Sequence, residues 1–87
     1  QGIPKAIIEQ GVLLTGRKGG ESLAFRDFHK TVKTCLQEQK IPPFLRQNWP
    51  VILDKNTGQC IAIANVQVGF FDNLSDERFF PMLEELF

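Results

Sequence analysis

Two consecutive prolines, Pro42 and Pro43, set the strongest constraint on how this chain folds. Proline fixes φ, removes an amide hydrogen and drives the residue before it away from helical backbone. A helix arriving from the N-terminal side must therefore stop at the pair, whereas Pro43 suits the first position of a new one. The flanking sequence agrees. Upstream, Phe28, Val32, Cys35 and Leu36 fall at i, i+4, i+7 and i+8, one face of a helix expected over 28–39 with Asp27 as its N-cap. Downstream, residues 44–49 read as a short helix ended by Pro50. A strand at 51–53, a turn at 55–58, a return strand at 59–64 and, past Asn65, another strand at 66–68 follow.

The remaining segments are read by the same signals. Residues 6–9 and 12–14 are expected to form a hairpin around Gly11, its second strand running on to Arg17, and 21–25 a short extended piece. Five of the eight phenylalanines lie from Phe70 onward. Ser75 is placed to cap a helix opened by Asp76 and Glu77 and kinked at Pro81. Its stripe of Phe79, Phe80, Leu83, Leu86 and Phe87 is expected in the core, with a dimer contact or a neighbouring domain as the alternative. The sum is an α+β fold: one small domain over residues 1–87, mostly antiparallel strands packed with one main helix, and a helical tail at 70–87.

The chain is long enough for one domain and no more, with 87 residues. No apolar run approaches the ~20 residues of a membrane helix, and no signal-peptide pattern opens it. The two cysteines, Cys35 and Cys60, have neither metal-site nor redox spacing and read as reduced core thiols, with a disulfide between them as the alternative. His29 is the single histidine, with no nucleophile or metal-ligand cluster beside it, so no catalytic residue and no metal site is expected. Its position fits a surface or boundary residue, with contact to a phosphate or base as the lesser reading. Trp49, beside Pro50, reads as a core anchor for the proline elbow rather than a base-stacking platform.

Charge carries the functional signal. The formal net charge is zero, yet up to Lys55 there are nine basic and five acidic residues, and beyond it one basic and five acidic. Lys30, Lys33, Gln37 and Lys40 form a second stripe on the expected helix, about 130° from the apolar one. Gly16-Arg17-Lys18-Gly19-Gly20 lacks the spacing of a nucleotide phosphate loop. It does free Arg17 and Lys18 to approach a polyanion backbone, arginine as a fork and lysine as a mobile point charge. Arg17, Lys18, Arg26, Lys30, Lys33, Lys40 and Arg46 together suit a surface that holds a nucleic-acid backbone, with steep salt dependence; pairing of the basic and acidic halves within the fold is the alternative.

The ordered string Arg17-x-Gly19-Gly20-Glu21, His29-Lys30-x-Val32-Lys33 with Gln37, and Ile41-Pro42-Pro43-Phe44-Leu45-Arg46 with Pro50-Val51-Ile52 resembles the C-terminal domain of tRNA(Ile)-lysidine synthetase. The likeness covers about residues 13–68, and Phe44 stands where the family often carries tryptophan. It implies a small domain similar to one in phenylalanyl-tRNA synthetase beta chains. It also implies a parent enzyme that uses ATP and Mg to convert a wobble cytidine to lysidine in the cytoplasm. The S-G-G-x-D-S loop that binds ATP in that family is not in this sequence, so the chain by itself is expected to be inactive and without a cofactor. The family's small domain holds tRNA around its acceptor region, beside the catalytic domain of the same full-length chain. The positions this implies as tRNA contacts are Arg17, Lys18, His29, Lys30, Lys33 and Arg46. A protein-interaction or homodimerisation module using the phenylalanine-rich tail is the competing reading, and no membrane association is expected.

Overall fold

The computed structural model describes residues 2–71 and 77–84. Its strands are β1 (Ile3–Pro4), β2 (Val12–Gly16), β3 (Ser22–Ala24), β4 (His29–Thr31), β5 (Pro50–Asp54), β6 (Cys60–Ile63), β7 (Gln67–Val68) and β8 (Arg78–Phe79). Its helices are α1 (Lys5–Gln10), α2 (Val32–Glu38) and α3 (Pro43–Arg46). All strand pairs are antiparallel: a central sheet in the order β2-β5-β6-β7, a β3-β4 hairpin and a β1-β8 ribbon. This is the α+β architecture expected.

The two middle strands are apolar on both faces because both faces are covered. Val51, Cys60 and Ile63 join Leu23, Val32, Cys35, Leu36, Ile41 and Trp49 in one cluster. Ile52, Ile61, Ala62 and Val68 join Ile3 in a second, flanked by Ile7, Ile8, Val12 and Phe71. The pairing shifts between Ile52 and Leu53, which face Ala62 and Cys60. Ile61 is the additional residue of that bulge, so two neighbours, Ile61 and Ala62, serve the second cluster together.

The main helix starts four residues later than its apolar spacing suggested. His29–Thr31 pair instead with Ser22–Ala24, and the Phe25 amide donates to the Phe28 carbonyl at 2.7 Å to close the turn between them. Thr31, not Asp27, is the N-cap: its hydroxyl oxygen accepts from the Thr34 amide at 3.1 Å. Phe28 consequently sits at the hairpin tip, 53% exposed, instead of on the core face of α2. Lys40 ends the helix in left-handed backbone (φ 59), while the Lys40 and Ile41 amides donate to the Gln37 and Leu36 carbonyls. This double bond closes the last turn, and the buried Leu36 and Ile41 make its usual apolar contact.

Residues 6–9 are helix α1 rather than a hairpin strand. Pro4 leads into it, and Gly11 ends it at φ 115, its amide donating to the Ile8 carbonyl. A pair of isoleucines is too short a run to distinguish the two periods, and β2 finds its partner in β5 instead. In the tail, Ser75, Asp76, Leu86 and Phe87 lie outside the described residues. Residues 77–84 contain β8 and no helix, and Phe79 and Phe80 are exposed rather than core. Asn65, with φ 64, clamps that segment: its amide donates to Pro81, and its side chain exchanges two hydrogen bonds with the Leu83 backbone.

Candidate nucleic-acid interface

Pairing of β2 with β5 sets Gly16 opposite Pro50, so the basic loop after β2 runs beside the segment that follows α3. A β-carbon on Gly16 would meet the Asn48 carbonyl oxygen at 3.1 Å, which leaves room for little but glycine there. The Arg17 amide donates to the Trp49 carbonyl at 2.9 Å, and Arg17 Nη1 donates to the Arg46 carbonyl at 3.2 Å. Arg46 in turn donates through Nε to the Ile41 carbonyl at 2.7 Å, bracing the proline elbow. Trp49 anchors this corner from below. It is 2% exposed, with Nε1 donating to Ala64 O at 2.9 Å.

The result is a notch of about 100 Å³ lined by Arg17, Lys18, Gly19, Gln47 and Asn48. Arg17 Nε is buried and has no partner among the described residues. Glu21 shapes the loop. Its carboxylate accepts from the Lys18 amide at 2.6 Å and the Gly19 amide at 3.0 Å, across a turn in which Gly19 and Gly20 both have positive φ. Burial raises the Glu21 pKa. The Lys18, Glu21 and Gly19 amides and the Arg17 charge together outweigh it and hold the carboxyl below its usual range. The Glu21 carbonyl also accepts from the Val32 amide, the first residue of α2. One residue thus ties the basic loop to the helix that carries Lys33.

The six expected contact residues therefore divide. Arg17 and Lys18 line the notch; Arg46 stands behind it, its carbonyl accepting from Arg17 and its Nε turned to the Ile41 carbonyl, and Lys33 is exposed on the helix tied to it. Lys30 lies in β4, not on α2. Its ammonium is 2.9 Å from Glu38 and 5.8 Å from the ring centres of both Phe25 and Phe28. The hydrogen bond to Glu38 raises the Lys30 pKa. His29 opens β4 opposite Ala24, at the other end of the hairpin, and is exposed. Lys30 and Lys33 consequently do not share the helical stripe that their spacing suggested.

A second feature escaped the sequence reading. At the hairpin tip, Phe25 and Phe28 stack at 5.1 Å, 15° from parallel, and the Arg26 guanidinium lies 5.9 Å from the Phe70 ring centre. These residues, with Phe71 and Arg78, line a cleft of about 570 Å³. Arg26 was visible as one cation among seven. Nothing in the spacing of Phe28 and Phe70 marked them as surface neighbours. Among the described residues no cluster of His, Cys, Asp and Glu suits a metal ion. No helix among them is long and apolar enough to cross a membrane.

A bulged antiparallel sheet, one capped helix and a notch lined by two cations make up a small α+β domain. The sequence profile described as the TilS substrate C-terminal domain matches residues 12–78, and the chain belongs to that family. The tRNA(Ile)-lysidine synthase of Chromobacterium violaceum is 36% identical over 69 residues, 79% of this chain and 16% of that protein. Its counterpart in Neisseria gonorrhoeae is 36% identical over 75 residues, 86% of this chain and 17% of that protein. The Neisseria meningitidis serogroup B protein of the same name is 33% identical over 75 residues. The chain thus spans about a sixth of the length of these relatives. No solved structure matches it.

Proposed function

We propose that this chain is the tRNA-docking domain of an ATP-dependent tRNA(Ile)-lysidine synthetase and holds the acceptor region of the tRNA beside the catalytic part of the same polypeptide. The observation that carries this reading is the notch at Arg17 and Lys18. Arg17, Lys18, Gln47 and Asn48 line one small concavity, and the buried Arg17 Nε has no partner among the described residues. Guanidinium and ammonium groups on a braced loop suit phosphate oxygens. Lys33 extends the cationic surface along α2. ATP and Mg belong to the chemistry of the parent enzyme, and this chain contributes binding and orientation. The reading places the protein in the cytoplasm, where tRNA is modified.

Reversing Arg17, Lys18 and Lys33 to Glu is expected to remove most tRNA binding by the 87-residue chain. Binding by the unaltered chain should weaken steeply with salt, by roughly 0.9 log units per phosphate contact for each decade of salt. Filter binding or fluorescence anisotropy across a salt series checks both points. Equal binding by the triple variant would show that the notch and helix are ordinary solvated surface. A contact with the rest of the synthetase chain or with a second copy is the competing role. It is favoured by the exposed Phe79, Phe80 and Met82.

A further inference from the structure

We infer that the cleft at the tip of the β3-β4 hairpin takes one unpaired nucleotide of a bound RNA, its base against phenylalanine and its phosphate against arginine. The inference deepens the tRNA-docking reading and rests on it. Four of the cleft's lining side chains are phenylalanines, Phe25, Phe28, Phe70 and Phe71, and two are arginines, Arg26 and Arg78. Among the described residues that line it there is no carboxylate. The volume, about 570 Å³, lies within the range of small-molecule sites.

Aromatic faces with cations, and no acid among the described lining residues, match one ligand chemistry in particular. A nucleobase supplies a π-face that stacks on phenylalanine or on a guanidinium plane, and its phosphate supplies the negative charge. A base paired within a duplex presents only its edge, so the cleft selects an unstacked nucleotide. The fold supports this selection. Phe28 is 53% exposed and Phe70 43% exposed, so each offers surface to a ligand at little cost in core packing. Phe25 is half-buried against the first core cluster and backs Phe28 with a parallel ring. Arg78 is oriented by donating to the Gly2 carbonyl at 3.3 Å and the Phe71 carbonyl at 3.5 Å. The Arg26 guanidinium lies 5.9 Å from the Phe70 ring centre, so a cation and an aromatic face stand together at the cleft.

The hairpin also relates this cleft to the phosphate notch. Its Ser22–Thr31 end adjoins Glu21 and the basic loop, and its Ala24–His29 end adjoins the cleft. A single RNA strand running along the hairpin would place its backbone at one end and a free base at the other.

The test uses one RNA stem-loop in two forms, blunt and with a short unpaired 3′ extension, bound to the 87-residue chain and followed by anisotropy. The extension is expected to tighten binding. Phe28→Ala and Arg26→Ala should each abolish that gain, about tenfold for a lost stacking contact, and leave the blunt form unaffected. Unchanged Trp49 emission in each variant shows that the core is intact. No gain from the extension, or a gain that survives Phe28→Ala, overturns the inference, and so does a Phe28→Ala effect confined to self-association. Arg17→Glu with Lys18→Glu should weaken both RNA forms equally. If it weakens neither while the extension effect persists, the cleft stands and the phosphate notch falls.

Discussion

At the scale of single residues, the buried cysteines give the chain a built-in alkaline weakness. Burial pushes the Cys60 thiol from the ordinary 9.0 up to about 11; a hydrogen bond with the Ala62 backbone opposes this, and the Glu21 and Cys35 charges add to it. Cys35 is raised as well, again chiefly by burial. Below pH 9 folded and unfolded chains hold these protons alike. Above it the unfolded chain releases them first, so stability falls as pH rises from about 9 to about 11. For Cys60 the loss is roughly 2–3 kcal/mol at the top of that window. Urea denaturation at pH 8 and pH 11 checks this, and Cys60→Ala should flatten much of the slope. A slope unchanged in that variant would place the titration elsewhere. The role of Cys60 as a core thiol was legible from its place in an apolar run. The division of labour among the cations was not, because whether Lys30 faces RNA or Glu38 depends on a neighbour eight positions away.

At the scale of elements, the start of α2 shows how local and long-range signals compete. The i, i+4, i+7 spacing from Phe28 suits a helix, and Asp27 is a good cap residue. Pairing of His29–Thr31 with Ser22–Ala24 overrides both and passes the cap to Thr31. Thr31→Ala should cost about 1 kcal/mol, whereas Asp27→Ala should cost much less; thermal melts of the two variants decide between the two helix starts. An equal or larger loss in Asp27→Ala would contradict the cap assignment. The β5-turn-β6 unit was legible because two apolar runs flank a turn sequence, and the sheet buries all of β6 and the Val51-Ile52 centre of β5. Helix α1 was not, since Ile7-Ile8 suits either period and only Pro4 and Gly11 frame it as a helix. The cleft was least legible of all, because Phe28 and Phe70 are brought together by pairings that sequence spacing does not encode.

At the scale of the whole molecule, apolar surface is unevenly spent. Both faces of the central sheet are covered, yet Phe79, Phe80 and Met82 remain outside, as do Leu13 and Leu14 on the edge strand β2. Such a surface is available to another polypeptide. Sedimentation velocity on the 87-residue chain is therefore expected to show association that grows with concentration. Phe79→Ser with Phe80→Ser should suppress it while Trp49 stays buried. Monomeric sedimentation at every concentration would remove the interaction reading and leave RNA docking as the sole role. The ribbon at the chain's ends adds a mechanical property. Because Ile3 faces Phe79 and Pro4 faces Arg78 in antiparallel register, tension applied through the two ends would first meet the Asn65 clamp on Pro81 and Leu83 and then load the ribbon one rung at a time, as in a zipper, instead of shearing all rungs together. Pulled in that way the clasp would open rung by rung and lift Ile3 out of the second core cluster, leaving the first cluster around Trp49 in place.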